Sequence, residues 1–480
     1  MGQPRPGHPR RCRRRRKTHR HHHASGRPGY PRRVRTARPG CRKRHERLRR
    51  PLLRRRVADR AHAAANGRQI RAGGRMKNPR SYLPWVLIGL LWLIFLALAL
   101  LIYTTHPNGA GDFGYYYRGI QRILDGRPLY ADLQSSDYVG PPLQIQLMAP
   151  LVAVARDEGT SARLWFALNV VLLAGTLALL SRFITRRHHR MILWVVTPLF
   201  APALMSLWLG QITIVLLAAT VGAWAAYRTG RPRLAGVLLA LAVWTKFYPG
   251  LLVLYFLWKR EWRVVFGAAV TTLLAIIFQM AVSGVDAFVY YILNVLPNLT
   301  ADGQPVLNHS NNAILGFAQK MFSESPQIIP LLVSPALVTL TRFGLLFGLG
   351  GVTLYLISRP TTALSRTPAE KFDLEYAAVL LVALLAGSTL GVHGMLSALL
   401  VYVVLFYERH GLSPRQRTRL KLLSLVSALL INLHMPIILG YLQPPSDNTL
   451  PAPALALPFF GMVLLWGMVV WLLSRQRAAV

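Results

Sequence analysis

From residue 83 onward the chain alternates long apolar runs with short polar breaks. The first run, Leu83 to Tyr103, and several later ones reach the roughly 20 residues that cross ~30 Å of hydrocarbon at ~1.5 Å per residue. Further candidate spans fall at 162–184, 191–209, 212–227, 234–258, 264–283, 329–357, 374–391, 394–407, 422–442 and 453–473. No strand-period alternation competes with a helical reading. A bilayer admits only helices and closed barrels, so the pattern predicts an all-α polytopic membrane protein.

The polar breaks are of two kinds. Basic ones lie at Arg186 to Arg190, Arg228 to Arg233, Lys259 to Arg263, Arg359 to Lys371 and Arg409 to Lys421, and Arg475 and Arg477 close the chain. All of these favour the cytoplasm. The loop after the first span holds Asp112, Asp125, Asp132 and Asp137 instead, and it faces the other way because Lys77 and Arg80 flank the opposite end of that span.

Placing every basic break on one side makes two demands. Residues 143–156 become a re-entrant or surface helix, and 234–258 become a hairpin bent around Lys246-Phe247-Tyr248-Pro249. Length argues the other way, because 234–258 suffices for one span of ~37 Å and 143–156 for a thin one of ~21 Å. Both solutions predict about 12 crossings with both termini inside, and they differ in the orientation of residues 156–233. Residues 284–328 face outward in either case, with Asp286, Asp302 and Asn308-His309-Ser310-Asn311-Asn312, so two outer loops are available to roof one cavity. Residues 113–125 read as a short amphipathic helix lying on the interface, with Tyr116, Tyr117 and Ile120 near the headgroups.

Charge changes this picture at one end. The net charge is +40, yet 27 of the 57 Lys and Arg fall in residues 1–75 against Glu46 and Asp59, so that segment carries +25 and the other 405 residues +15. An Arg-, Pro-, Gly- and His-rich tract without apolar periodicity cannot bury enough surface to offset ordering entropy, and it reads as a disordered extension. Three accounts of it stand side by side: binding of nucleic acid or anionic lipid through charge density, an extension without a role, or a start codon placed too early. Met76-Lys77-Asn78-Pro79-Arg80 is a short basic opening directly before the first span, which fits the third. The domain division is therefore 1–75 and 76–480, with no nucleic acid expected for the membrane body. Both cysteines, Cys12 and Cys41, lie in the tract without metal-ligand spacing.

No carboxylate of the body lies inside a clean apolar run, so a general base must come from a loop or a span end. Asp112, in Gly111-Asp112-Phe113-Gly114-Tyr115-Tyr116-Tyr117, is the best placed to take a proton from an attacking hydroxyl. The alternative is a helix cap for the segment that follows. Lys246, within the apolar run 234–258, is costly there and suits a lipid phosphate, or else snorkels to a span end. Gln211 after Gly210, and Asn308, Ser310 and Asn311 in the outer loop, supply groups suited to sugar hydroxyls, as polar turns commonly do. His393 sits at an outer span end, for a phosphate or sugar or simply to satisfy a helix terminus. Tyr116 and Tyr117 join the substrate-binding candidates. P-loop, dinucleotide-glycine, His-Glu-x-x-His and Gly-x-Ser-x-Gly signatures are missing, which leaves nucleotide-driven transport and the usual hydrolase triads without their parts.

Taken in order, Asp112-Phe113 with Tyr116, Gly126-Arg127-Pro128-Leu129-Tyr130, Pro141-Pro142-Leu143 with Pro150-Leu151, Leu209-Gly210-Gln211, Leu234-Ala235-Gly236 through Lys246 and Pro249, Trp258 to Trp262, and Asn308 to Leu315 resemble glycosyltransferase family 87. These are polyprenol-phosphate-mannose-dependent mannosyltransferases. The resemblance covers about residues 83–410 and implies a GT-C fold, with Asp112 as catalytic base. It also implies a polyprenyl-phosphate sugar donor, most simply of mannose, a glycolipid or glycan acceptor, and inversion at the sugar. The active site would face the extracytoplasmic side of a plasma (inner) membrane crossed many times. No cofactor or metal is expected, because one phosphate carries less charge than a pyrophosphate and no carboxylate cluster is spaced for magnesium. Two departures stand out: Ser388-Thr389 with His393 alone replaces a Ser-Pro, Trp and paired-His pattern, and Asn308-His309-Ser310 replaces Asn-Gln-Ser. The rival readings are a lipid-linked sugar flippase or transporter, and an arabinosyl- or glucosyltransferase of the same fold.

Overall fold

A computed structural model describes residues 83–105, 111–130, 138, 140–155, 157–300, 310–325, 328–359, 368–406, 412–433 and 450–475, all within the compact unit Pro79–Val480. The basic N-terminal tract with Cys12 and Cys41, the expected start at Met76, and Asp132, Asp137, Asp302, Asn308 and His309 lie outside the described residues.

The protein is an all-α, multi-pass membrane protein, as the apolar runs predict. Helix α1 (Leu83–Thr105) leads to the short helices α2 (Phe113–Leu124), α3 (Pro142–Gln146) and α4 (Ala149–Ala155), then to α5 (Glu158–Phe183). Next come α6 (Arg187–Val196), a 3-10 turn at Thr197–Leu199, α7 (Ala201–Trp208), α8 (Thr213–Arg228), α9 (Pro232–Thr245), α10 (Gly250–Trp258) and α11 (Trp262–Ser283). A broken segment follows, α12 (Val285–Tyr290), a π-turn and α13 (Leu296–Thr300), then α14 (Ile314–Phe322) and α15 (Pro335–Ser358). The rest comprises α16 (Pro368–Ala386), α17 (Ala398–Phe406), α18 (Pro414–Asn432), α19 (Ala452–Leu455) and α20 (Leu457–Ser474).

Among the described residues, five helices (α1, α5, α11, α15 and α20) are long and apolar enough to cross a membrane, and the bent pair α6–α7 makes a sixth. The expected total of about 12 is reached only by adding the shorter or more polar helices α8, α9, α10, α16, α17 and α18. One feature departs from the helical pattern: Ile328–Ile329 and Leu450–Pro451 form a two-residue parallel pair. The expected span 329–357 therefore starts at Pro335, after this pair. The expected span 422–442 begins earlier, at Pro414, where Ser413 and Gln416 make a reciprocal capping box; residues 434–442 are outside the described set.

The hairpin reading of 234–258 is the one realised. Lys246 is extended (φ −150°, ψ 133°) where α9 stops. The far ends of the two limbs meet the same face, since Gly267 near the start of α11 lies against the Arg233 carbonyl while Lys259 is bound to Glu375. Gly236 likewise admits the Val264 backbone, so α9 and α11 pack with no side chain between them. Residues 142–155 do not cross either. The Leu143 N–H donates to Gln279 Oε1 at 3.1 Å, and Gln146 Nε2 donates to the Gln279 carbonyl at 3.2 Å and to Ser283 Oγ at 2.7 Å, all at the far end of α11. That end is the level of the Asp112 loop, so α5 runs away from this level toward Phe183, which meets Trp224 and Arg228.

Two opposite polar faces result. One gathers the basic breaks, and Trp258 and Trp262 stand 57% and 62% exposed beside Arg260 and Arg263, as interfacial anchors do. Here two carboxylates are buried at the start of α16, Asp373 just before the expected span 374–391 and Glu375 in its first turn, so the expectation that none lies within an apolar run fails at Glu375. Asp373 accepts from Trp224 Nε1 at 2.8 Å and Arg228 at 2.9 Å, and Glu375 accepts from Tyr255 Oη at 2.9 Å and Lys259 Nζ at 2.8 Å. Helix α16 starts six residues before the expected span, which brings Asp373 into the bundle beside Glu375, where cations and donors satisfy both.

The amphipathic helix at 113–125 is present as α2, but its apolar stripe points inward. Phe113, Tyr116 and Ile120, at i, i+3 and i+7, are 0%, 7% and 0% exposed, so Tyr116 and Ile120 belong to the core and not to the headgroup layer. Tyr117 is half-buried against the same core.

Glu375→Ala leaves the buried Tyr255 hydroxyl without its acceptor and the partly buried Lys259 with the Ile357 carbonyl in place of a carboxylate, and should cost about 3 kcal/mol. Asp125→Ala, which removes an exposed pair with Arg127, should cost under about 1 kcal/mol. Thermal unfolding of the two variants in one detergent checks the contrast; equal melting temperatures would contradict it.

Candidate active site

The loop ahead of α2 is fixed by backbone before any side chain acts. The Phe113 N–H donates to the Leu209 carbonyl at 3.2 Å, which docks the loop on the turn between α7 and α8. Gly111 has φ +53°, and a Cβ there would stand 3.1 Å from the Leu209 Cα, so left-handed backbone and close approach both require glycine. On the other side of the contact, the Trp165 indole of α5 donates to the Gly210 carbonyl at 2.7 Å and the Gln211 N–H to the Ser206 carbonyl at 3.0 Å.

Asp112 then meets Gln211. It occupies the N-cap position of α2, yet its side chain caps nothing. Its Oδ2 instead accepts a hydrogen bond from Gln211 Nε2, and Gln211 Oε1 accepts from Tyr116 Oη at 3.0 Å. Tyr116 and Gln211 are both buried. This chain, hydroxyl to amide to carboxylate, fixes the Gln211 amide with nitrogen toward Asp112 and oxygen toward Tyr116.

Burial raises the Asp112 carboxyl above the ordinary carboxylate range, and the Gln211 hydrogen bond and the Lys246 ammonium act against that rise. Lys246 stands at the apex of the α9–α10 hairpin, close enough for its charge to act on Asp112 and on His393. His393 lies in the 3-10 turn Val392–Ser397 before α17, its ring folded over Gly391 and its carbonyl accepting from Ser206 Oγ at 3.3 Å. Asp112 and Tyr116, from the start of α2, thus converge with Gln211, Lys246 and His393 from three separate helix breaks.

The amide-rich segment has a different placement. Asn311 Nδ2 donates to the Ser388 carbonyl at 3.1 Å, and its Oδ1 accepts from the Ala313 and Leu390 N–H groups, each at 3.0 Å. Asn312 donates its N–H to the Leu390 carbonyl at 2.7 Å and its Nδ2 to the Ser310 carbonyl at 2.9 Å. Asn311 therefore stitches the loop to the end of α16, beside His393, with its amide engaged on backbone. Asn308 lies outside the described residues.

Three residues join the neighbourhood without having been singled out in sequence. Gln144, in Pro141-Pro142-Leu143-Gln144, is buried beside the Tyr116 hydroxyl. Ser206 links the His393 carbonyl to Thr213, whose hydroxyl donates to it at 2.9 Å. Lys320 of α14 is 1% exposed and donates to Asn312 Oδ1 and the Leu455 carbonyl, each at 3.0 Å; burial pushes its ammonium down to about 7. A lysine inside the nine-residue run Ile314–Phe322 was the available signal, hidden because that run is too short to read as a span.

Residues 138–388, just over half of the chain, match glycosyltransferase family 87. The protein belongs to that family. It is 28% identical over 266 residues to the polyprenol-phosphate-mannose-dependent alpha-(1-2)-phosphatidylinositol mannoside mannosyltransferase of Mycolicibacterium smegmatis, covering 51% of this chain and 58% of the relative. With the protein of the same name from Mycobacterium tuberculosis it shares 27% identity over 255 residues, 47% and 58% of the two chains. The match thus spans less than two thirds of either relative. ArnT from Cupriavidus metallidurans bound to undecaprenyl phosphate aligns with TM-score 0.33 and 15% identity over 79% of this chain and 76% of that one, and the apo form with TM-score 0.34.

Gly111→Ala should lower unfolding stability by about 1–2 kcal/mol through left-handed backbone strain. Gly126→Ala, at φ +67° with open space around its Cβ position, should cost the same backbone strain but leave the Leu209 contact intact. Thermal unfolding together with limited proteolysis of the 106–112 segment checks this: the loop should become more cleavable in the first variant and not in the second.

Proposed function

We propose that the protein is an integral-membrane hexosyltransferase that moves a sugar, most simply mannose, from a polyprenyl phosphate to a hydroxyl of a lipid or glycan acceptor. Family membership supports the reaction class, and the names of the two mycobacterial relatives support the donor. The observation that carries the mechanistic reading is the Asp112 carboxylate, half-buried, held by Gln211 and backed by Tyr116, with a lysine nearby. A partly desolvated carboxylate with its proton affinity raised suits a base that must accept a proton from an alcohol.

The acceptor oxygen attacks the sugar C1 as its proton passes to Asp112. The bond from C1 to the phosphate oxygen breaks, and the electron pair leaves on the polyprenyl phosphate. In this reading Lys246 stabilises the charge gathering on that phosphate, and His393 hydrogen-bonds it. A phosphate monoester is already a good leaving group, so no general acid is needed. Attack opposite to the leaving phosphate inverts C1.

The site-bearing face is read as extracytoplasmic and the basic face as cytoplasmic. What supports this is the charge contrast of the two faces under the positive-inside rule, with Arg228, Lys259 and Lys371 anchored on buried carboxylates at the basic one.

Asp112→Asn should reduce transfer from polyprenyl-phosphate mannose by about 10²- to 10⁴-fold with the protein still folded and donor still bound. Full transfer by this variant, measured with the purified protein and a lipid acceptor fraction, would refute the base assignment. Loss of transfer with retained movement of donor across a vesicle would favour a transporter with a secondary activity.

The pH profile gives a second check. Transfer requires ionised Asp112, so activity falls as pH drops through its pKa, and burial places that acidic limb above the ordinary carboxylate range. Gln211→Met and Lys246→Met each remove an influence that lowers the pKa, so each should move the limb to higher pH. A limb that moves down, or not at all, would contradict the assignment.

A further inference from the structure

On the face opposite the candidate active site, a cavity of about 350 Å³ opens between α6, α17 and α18. That is the size of a small-ligand pocket. Its walls are largely apolar, and Phe200 and Tyr402 close its inner end with an edge-to-face contact at 6.0 Å. Ile192 and Leu425, 50% and 56% exposed, flank its opening toward the lipid side.

The mouth has a different character. His188, His189 and Lys421 line it, and no acidic side chain is found among the described residues of the lining. The two imidazoles touch at 4.2 Å between ring centroids. Arg186 and Lys421 both stand close enough to His189 for their charges to act on it, so fixed positive charges crowd and repel one another here. An anion at the mouth relieves that repulsion. Two partly buried cations at this face, Arg228 and Lys259, already have carboxylates.

We infer that this cleft binds a membrane phospholipid with an anionic headgroup, the phosphate against His188, His189 and Lys421 and one acyl chain along the apolar walls toward Phe200. Charge complementarity selects the headgroup, and the apolar interior requires a chain, which excludes free phosphate as the natural occupant. A lipid fits the setting because the cleft begins at the level of the basic breaks and opens sideways between membrane helices. The inner end abuts the break between α6 and α7, where Asn432 of α18 accepts from the Ala201 N–H at 2.8 Å and donates to the Leu199 carbonyl at 3.0 Å. A chain in the cleft therefore packs against the joint of the bent helix whose far end carries the turn to Gln211.

Native mass spectrometry of the full chain in detergent, titrated with phosphatidylglycerol, phosphatidylcholine or inorganic phosphate, tests this. Phosphatidylglycerol should bind at one equivalent and be preferred to phosphatidylcholine, with inorganic phosphate leaving no adduct. Lys421→Glu should weaken it by about 5-fold or more, on the basis of ~1 kcal/mol per basic residue near an anionic lipid. Ile192→Trp and Leu425→Trp, at exposed positions that tolerate bulk, should obstruct the chain and weaken it without altering charge. Arg263→Gln, on the same face but away from the cleft, should leave binding unchanged. The proposal is overturned if Arg263→Gln weakens binding as much as Lys421→Glu, if the tryptophan variants bind as wild type, or if the chain runs as a dimer that Ile192→Trp separates.

Discussion

The site depends on where helices stop. In a bilayer, unpaired backbone and charged side chains are tolerated only where protein surrounds them, so polar chemistry at membrane depth has to be placed at helix breaks. Three breaks reach one level here: Leu209 to Ile212 between α7 and α8, Lys246 to Pro249 between α9 and α10, and Gly387 to Gly391 after α16. They deliver Gln211, Lys246 and His393 in turn, and distant groups satisfy part of the backbone there, the Trp165 indole at Gly210 and Asn311 and Asn312 at Leu390. The Asp112 loop is then laid across the first break by a main-chain hydrogen bond from Phe113 to Leu209.

This arrangement explains the short hairpin limbs. A straight helix over 234–258 would carry Lys246 into the middle of its length, with its ammonium at the costliest depth. Breaking the helix at Lys246 puts the charge at an apex, near Asp112 of the first loop. The close packing of α9 on α11 through Gly236 and Gly267 holds the hairpin upright without bulky side chains. Asp112 and Lys246 bias one another's charge without a direct ion pair between them. A phosphate and a hydroxyl can therefore both be served, where a closed pair would cancel both charges.

Much of this was legible in sequence because the bilayer imposes length and hydropathy on each run. The apolar spans, the loop aspartate, the Gln211 turn and the intrahelical lysine all stand out against an apolar background. What could not be read was direction. Residues 143–155 and 234–258 have lengths compatible with crossing, and only contacts at long range, Gln146 with Ser283 and Arg233 with Gly267, show that they return to the side they left. Amphipathicity was equally blind to direction: the stripe Phe113, Tyr116, Ile120 faces a core and would look the same facing headgroups. The Asn311 amide reads as a sugar ligand in isolation, whereas its partners are the Ala313 N–H nearby and the Ser388 carbonyl and Leu390 N–H, 77 and 79 residues away. Buried Glu375 was missed because its partners Tyr255 and Lys259 are distant in sequence.

The two polar faces solve the same problem in opposite ways. On the basic face, buried carboxylates are closed into pairs with Arg228 and Lys259, which fixes the ends of α8, α10 and α16 relative to one another. At the site face, Asp112 is held by neutral donors alone, through the Gln211 amide and the Tyr116 hydroxyl behind it. A neutral donor orients a carboxylate without taking its charge, so the proton affinity that burial creates remains available for chemistry. Had the paired arrangement been used at both ends, the bundle would be equally well pinned, but Asp112 would be a weaker base. Stability is thus concentrated at the face where charges are cancelled, and reactivity at the face where one is left partly uncompensated.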